Sequence, residues 1–289
     1  GAGSAAFRAA TRAAAAPLSA CGYYRIGEDG RLYLATKSEH YHAPLGHAFP
    51  GYGLVEQARR LGIPNATYNN TRGHITRLLE EELIRTANGL ARGDRAGLDA
   101  VLARSDDPRV LNRVLNLETG SLAVEAALKM ILARFYRMQP EMPAPRYEGR
   151  VPVILVMGND AGGLQANYHG TTVLTQMLRG MWPDLCARLT GAAAWQVVPI
   201  RPNCAADLDE AFATYESGHY KIAGFFHEIV MMNYGGRRLT PEFLRHAHAR
   251  CEAHDVPTVV DEIQSGMWAP QLYLFREYGL RPTFVAVGK

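Results

Sequence analysis

The stretch "HDVPTVVDEIQSG", residues 254–266, decides how the chain is read. Thr258, Val259 and Val260 form a short β-branched run with the composition of a buried strand, and Asp261 and Glu262 follow directly. Carboxylates in such a place need a positive partner or hydrogen-bond donors, because burying them alone is costly. Working outward, apolar runs recur at 113–117 (RVLNL), 151–157 (VPVILVM), 195–200 (WQVVPI), 222–227 (IAGFFH), 256–260 (VPTVV) and 283–287 (TFVAV). Helical periodicity lies between them, over 121–136, 171–181, 205–216, 240–253 and 270–278. Strand and helix in alternation predict an α/β fold, a mostly parallel sheet with helices on both faces. Residues 1 to 60 read differently, with Gly, Pro, His and Tyr scattered among short segments and loop chemistry in "LGHAFPGYG" at 45–53. An amphipathic helix is expected at 74–87, followed by a polar stretch, "NGLARGDRAGLDAVLARSDDPR".

Ligands of parallel sheets sit at the carboxyl ends of the strands, so the residues that follow each strand are the candidates for chemistry. In "LNLETGSLAVEAALK" a strand-like run meets Thr119, Gly120 and Ser121 at the start of a helix. Free N–H groups there make a phosphate seat, and an ordinary Thr or Ser helix cap is the plain alternative. "NYHGTT" at 167–172 sets an aromatic, a histidine and a glycine after "VPVILVM", although His169 alone reads as well as a structural histidine. Glu228 closes "IAGFFHE" and serves equally as a cap or an ion-pair partner. Asp261 could hold a ribose, a metal or a cationic ring nitrogen. Ribose binding calls for a GxGxxG turn some 20 residues upstream, which is missing, as is the Walker pattern GxxxxGK[ST].

Composition narrows the classes. The 289 residues are 47% hydrophobic and 20% charged, enough for a large core in an ordinary soluble globular protein. Thirty-one basic and 28 acidic residues, a net charge of +3, are spread along the chain, so nothing marks a nucleic-acid or membrane partner. Cys21, Cys186, Cys204 and Cys251 are far apart and lack CxxC spacing, which points to reduced thiols in a cytoplasmic protein with neither disulfide framework nor metal site. The longest apolar runs fall short of the roughly 20 residues that span a bilayer. The Ala-rich start with Arg8 and Arg12, and no acid before Glu28, also suits an organelle transit peptide; an Ala-rich helix ended by Pro17 is the other reading.

Taken in order, the motifs resemble those of the class III (omega-type) aminotransferases, pyridoxal-phosphate enzymes of fold type I. The likeness runs through "DGRLYLATKS" from residue 29, "GHAFP" at 46–50, "TGSLAVEAALK" at 119–129, "YHGTT" at 168–172, "FFHEIV" at 225–230, "GGRRLTPEFLRHAHARCEAHDVPTVVDEIQSG" at 235–266 and "FREYGLRPTFVAVGK" at 275–289. Each motif is weak alone; the ordered set, with a lysine 28 residues after the Asp of "DEIQ", is specific. The resemblance implies residues 1–60 as an N-terminal segment contributing to a small domain, and 61–289 as a large cofactor-binding domain that continues beyond Lys289 in a longer chain.

The resemblance further implies that Lys289 forms the Schiff base with pyridoxal 5'-phosphate and shuttles the proton, while Asp261 keeps the pyridinium nitrogen protonated so that the ring can accept electron density. Ile263 and Tyr168 would pack on opposite ring faces, Gln264 would reach the ring hydroxyl, and Gly120 and Ser121 would hold the phosphate. Glu228 matches the family's glutamate near the site, and Glu262 is expected to support the loop. Implied partners are a small-molecule amine donor, a keto-acid acceptor and a second copy of the chain in a homodimer. An aminomutase, epimerase or decarboxylase of the same fold, or a non-catalytic relative, would share the cradle. Departures from the family lie around it: "TGSLA" puts Leu122 where an acid is usual, "GMWAP" replaces "GFGRTG", Ile229 replaces a Pro, and Pro282-Thr283 stands for "PD".

Overall fold

A computed structural model of the chain describes residues 17–34, 46–63 and 72–288. The chain divides into two compact units, one within residues 1–77 and one over residues 78–288. In the first, β1 (Pro17–Cys21), β2 (Tyr24–Gly27) and β3 (Leu32–Leu34) form an antiparallel sheet in that order. Helix α1 (Gly53–Arg60) follows the Pro50–Tyr52 turn of 3-10 helix, and α2 runs over His74–Ala87, as its periodicity predicts.

In the second unit, β4 (Val151–Met157), β5 (Gln196–Ile200), β6 (Tyr220–His227), β9 (Thr258–Glu262) and β10 (Phe284–Val287) build a five-stranded sheet of order β10-β9-β6-β4-β5, with every pairing parallel. Between β6 and β9, β7 (Val230–Met231) and β8 (Arg237–Arg238) pair as a small antiparallel ribbon. The helices are α3 (Arg95–Ala103), α4 (Gly120–Leu132), α5 (Val173–Leu178), α6 (Pro183–Gly191), α7 (Ala205–Tyr215), α8 (Pro241–Ala253) and α9 (Leu274–Glu277). Five of the six expected strands and the α/β class follow the sequence pattern.

Each face of the sheet carries its own core, and β4 shows how the pleat divides them. Val153, Leu155 and Met157 point to the side covered by Leu208 and Phe212 of α7 and by Phe243, Leu244 and Ala247 of α8. Ile154 and Val156 point to the side covered by Val124, Leu128 and Ile131 of α4 and by Met177 and Leu178 of α5. The buried residues of α4, Val124, Ala127, Leu128 and Ile131, recur at helical spacing and make the stripe that seats it. On β6 the alternation slips: Val153 pairs with Ile222 but Ile154 pairs with Gly224. That one-residue bulge brings Phe225 back to the face of Ile222 and sends Phe226 to the face of Ala223. A Cβ on Gly224 would stand 3.0 Å from the end of the Ile131 side chain, so α4 packs closely over the bulge.

Three expectations differ from the fold. Residues 113–117 form no strand among the described residues; Leu115 is 57% and Leu117 38% exposed, and no edge of the sheet reaches them. The polar stretch after α2 contains α3, which the side chain of Asp94 caps by accepting the Gly97 N–H at 2.8 Å. At 270–278 the helix shrinks to α9, because Pro270 and the left-handed backbone of Leu272 (φ 70°) keep the first half out of helical geometry.

At the amino end of β6 the buried ammonium of Lys221 donates to both oxygens of Glu216, at 2.8 and 2.9 Å, and to the His254 carbonyl at 2.7 Å. Burial pulls the Lys221 ammonium below its usual range, against the pull of Glu216. Glu216→Ala is expected to destabilise the unit by about 3–5 kcal/mol, since it strands a buried charge. The double variant Glu216→Ala/Lys221→Met is expected to recover most of that loss, measured by urea unfolding of the full-length protein.

Candidate active site

The carboxyl ends of the strands gather the side chains that the sequence singles out. Asp261 and Glu262 are neighbours on β9, so the pleat sends them to opposite faces. Asp261 turns to the α4 side, with Val259, and Glu262 to the other. There Glu262, fully buried, accepts the Leu274 N–H at 2.8 Å and the Phe275 N–H at 2.6 Å. Its two oxygens thereby cap the start of α9 and close the segment between β9 and that helix. Burial pushes its carboxyl up to about 7, with the two backbone donors pulling the other way.

Asp261, 5% exposed, accepts from His169 through Oδ2, 2.8 Å from the ring Nδ1, and from the Ile263 N–H through Oδ1 at 3.1 Å. His169 comes from the turn Tyr168–Thr171, and the same turn holds the start of α4. The Thr171 N–H donates to Ser121 Oγ at 2.9 Å. Gly170, at φ 130°, lies so close to that helix that a Cβ would stand 2.5 Å from Ser121 Oγ. One turn thus ties Asp261 to Ser121.

At the α4 terminus Thr119 is the cap, its Oγ1 accepting the Leu122 N–H at 3.3 Å, and the first turn carries no acid. The N–H groups of Gly120 and Ser121 have no partner within the helix, which leaves a positive helix end with free donors. Ser121 Oγ accepts the Thr171 N–H and lies 3.4 Å from Thr171 Oγ1, where either hydroxyl can donate. Ile263 packs over Gly120: a Cβ there would meet its side chain at 2.7–3.1 Å, and one on Gly288 would meet it at 3.5 Å. Tyr168 is half-buried, with the Arg179 guanidinium 5.4 Å from its ring centre. Gln264 is half-buried in the turn after β9, and Glu228 is buried just beyond β6, whose His227 pairs with Val260. Lys289 follows β10 and lies outside the described residues.

A family profile described as Aminotransferase class-III matches residues 10–289. The chain belongs to the class III aminotransferase family. It is 28% identical over 197 residues to the L-lysine-epsilon aminotransferase of Streptomyces clavuligerus, a match that covers 63% of this chain and 41% of that protein. With the ornithine aminotransferase of Emericella nidulans it shares 26% identity over 277 residues, covering 90% of this chain and 50% of the relative. The chain therefore spans about half the length of the curated relatives it matches. Among solved structures, the taurine:2-oxoglutarate aminotransferase from Bifidobacterium kashiwanohense, in complex with PLP and glutamate, superposes with a TM-score of 0.63 at 19% identity, covering 92% of this chain and 54% of that one. The N-acetylornithine aminotransferase from Stenotrophomonas maltophilia K279a gives 0.59 at 21% identity, over 93% and 57%. These likenesses place the fold among the fold type I transferases.

Within the family frame, the structure brings together Gly120, Ser121, Asp261 and Ile263, and adds His169 and Thr171. The sequence singles out His169 after "VPVILVM" without choosing between a structural and a chemical role; its partner is 92 residues away and appears only in the fold. Glu262 supports the loop, as expected, through the two backbone N–H bonds.

Glu262 makes the stability of the unit depend on pH in a definite direction. Folded, it keeps its proton up to about pH 7, whereas unfolded it releases it near the ordinary value of 4.5. Between those values the unfolded chain binds fewer protons, so stability falls as pH rises. The loss is on the order of 3 kcal/mol across the window. Glu262→Gln is expected to remove this part of the slope; urea unfolding of both proteins between pH 4.5 and 7.5 measures the difference.

Proposed function

We propose that the protein is a pyridoxal-phosphate-dependent aminotransferase, moving an amino group from an amine or amino-acid donor to a keto-acid acceptor. The observation that carries this is the turn Tyr168–Thr171, which holds a buried carboxylate at one end and an acid-free helix terminus at the other. Such a pair fits a flat ligand that is cationic at one edge and a phosphate at the other. Pyridoxal phosphate, when bound, supplies a cationic ring that takes up electron density as a proton leaves the donor carbon.

The chain's own residues do the rest. Asp261 would keep the ring nitrogen charged, and Ser121 with the N–H groups of Gly120 and Ser121 would hold the phosphate. Ile263 and Tyr168 would pack against the ring, Gln264 would reach its hydroxyl, and Glu228 stands just past the neighbouring strand end. Lys289 would hold the cofactor through its amine, and that amine would serve as the base toward the donor carbon. Residues 1–60 contribute to a small domain and 61–289 to the large one. The working form is a homodimer, supported by Leu115, Leu117 and Leu122, which are exposed around the entry to α4 and suit a covering subunit. No helix of the described residues is long and apolar enough to cross a membrane. A cytoplasmic location fits the four free cysteines.

Screening amine donors against pyruvate and 2-oxoglutarate with the full-length protein tests the activity; racemised or decarboxylated donor without keto product would assign a different reaction. Lys289→Ala is expected to bind the cofactor and to turn over almost nothing. Asp261→Asn is expected to lower kcat by about two orders of magnitude while donor KM changes far less, because the lost charge acts in the transition state. Near-normal transamination by that variant would return Asp261 to a structural role. Gly120→Val is expected to push Ile263 aside and weaken cofactor binding about tenfold, read by fluorescence titration.

A further inference from the structure

We infer that His169 is the positioning residue of the site: through Nδ1–H it orients the Asp261 carboxylate and sets the charge that the acid presents to a cationic ring. The inference rests on the function proposed above and adds to it a residue that acts through Asp261.

Geometry comes first. Nδ1 lies 2.8 Å from Asp261 Oδ2, with both side chains almost wholly buried. A carboxylate only accepts, so this bond puts the proton on Nδ1. The other oxygen, Oδ1, accepts the Ile263 N–H, and the two bonds together fix the plane of the carboxylate. Without His169 a single backbone bond would remain, and the group could rotate about it. Charge follows from the second ring nitrogen. Nε2 is buried and has no hydrogen-bond partner among the described residues. A proton there would be a buried donor with nothing to receive it, which the site disfavours. This geometry suits the tautomer whose one hydrogen sits on Nδ1, a neutral donor. It steadies Asp261 without neutralising it, whereas a doubly protonated ring would pair with the acid and leave no net charge to offer.

The location of His169 adds a steric argument. Its ring packs edge-on to Phe226, with centroids 6.1 Å apart, on the α4 side of the sheet. On the other side of it in the chain stands Gly170, pressed against Ser121. The backbone that carries His169 is thus held at the helix end, and its buried ring is packed against Phe226.

The test compares substitutions that keep or lose a donor at the Nδ1 position in the full-length protein. An Asn amide reaches about as far as Nδ1; a Gln amide lies one bond further out and misses the acid. Pyridoxal phosphate affinity is measured by fluorescence titration, and the state of the ring nitrogen by NMR with cofactor labelled there with nitrogen-15. For His169→Asn the expected affinity is within about threefold of wild type, with the ring-nitrogen signal unchanged. For His169→Gln the expected affinity is about tenfold weaker, with the signal moved toward that of a neutral pyridine. A Gln variant that matches wild type in both readouts overturns the inference, and so does an Asn variant as damaged as the Gln one. Should the Gln variant not fold, His169→Ala titrated with and without free imidazole gives the same comparison: restoration by imidazole is expected, and its absence overturns the inference. Asp261→Asn, run in parallel, separates the two levels. A signal that it leaves untouched overturns the proposed function and this inference with it, whereas a signal that responds to Asp261→Asn but not to His169→Gln overturns this inference alone.

Discussion

Two acids on consecutive residues of a buried strand cannot share a side, and the site is organised around that pleat. Asp261 and Glu262 leave β9 in opposite directions, and each meets donors suited to its side. Glu262 spends both oxygens on the backbone at the start of α9, and so holds the connection from β9 to α9 in place. Asp261 meets an imidazole and one N–H and keeps acceptor capacity in reserve. The same composition therefore supports a structural carboxylate and a chemical one, one residue apart.

Around this pair the sheet keeps strict account of which side chain faces which layer. A parallel sheet covered by helices on both faces has no solvent side on which errors can be hidden. The bulge at Ala223 and Gly224 resets the phase of β6 halfway along, so Phe225 and Phe226 enter the correct cores. It also places His227 opposite Val260, and Glu228 just past the strand beside the end of β9. There His227 meets His248 at 3.0 Å between Nε2 atoms, deep enough that burial holds both rings well below the usual imidazole range. A bond between two ring nitrogens takes one donor and one acceptor, so neutral rings suit it.

Much of the fold is legible in the sequence because a doubly covered strand must be apolar on both sides, and runs such as VPVILVM and IAGFFH have few other uses. The strand reading of RVLNL fails for the converse reason: an apolar run of five residues carries no information on whether a partner edge is available. Helix α3 escapes notice because its charged residues mask a short stripe with a single buried residue, Leu98. In the candidate site, Gly120, Ser121 and Asp261 stand out locally, each by its place at an element's end, while Ile263 enters only through the family resemblance. His169 is noticed beside Tyr168 but reads as well as a structural histidine, since its meaning depends on a partner 92 residues along the chain. The reason for a glycine at 120 is likewise hidden: the sequence suggests room for a ligand, while the structure shows the side chain of Ile263 in the space a Cβ would fill.

The turn Tyr168–Thr171 behaves as a short rigid strut, bonded to the strand end through His169 and to the helix end through Thr171. A strut makes its two anchor points share displacements. Whatever grips the α4 terminus therefore reduces the freedom left to Asp261, and whatever grips Asp261 steadies that terminus. Their contributions to binding are then not independent quantities: the entropy lost in fixing the first is not lost again in fixing the second. Four residues of loop thus join the sheet to the helix, and a contact made at either end of the turn bears on the other.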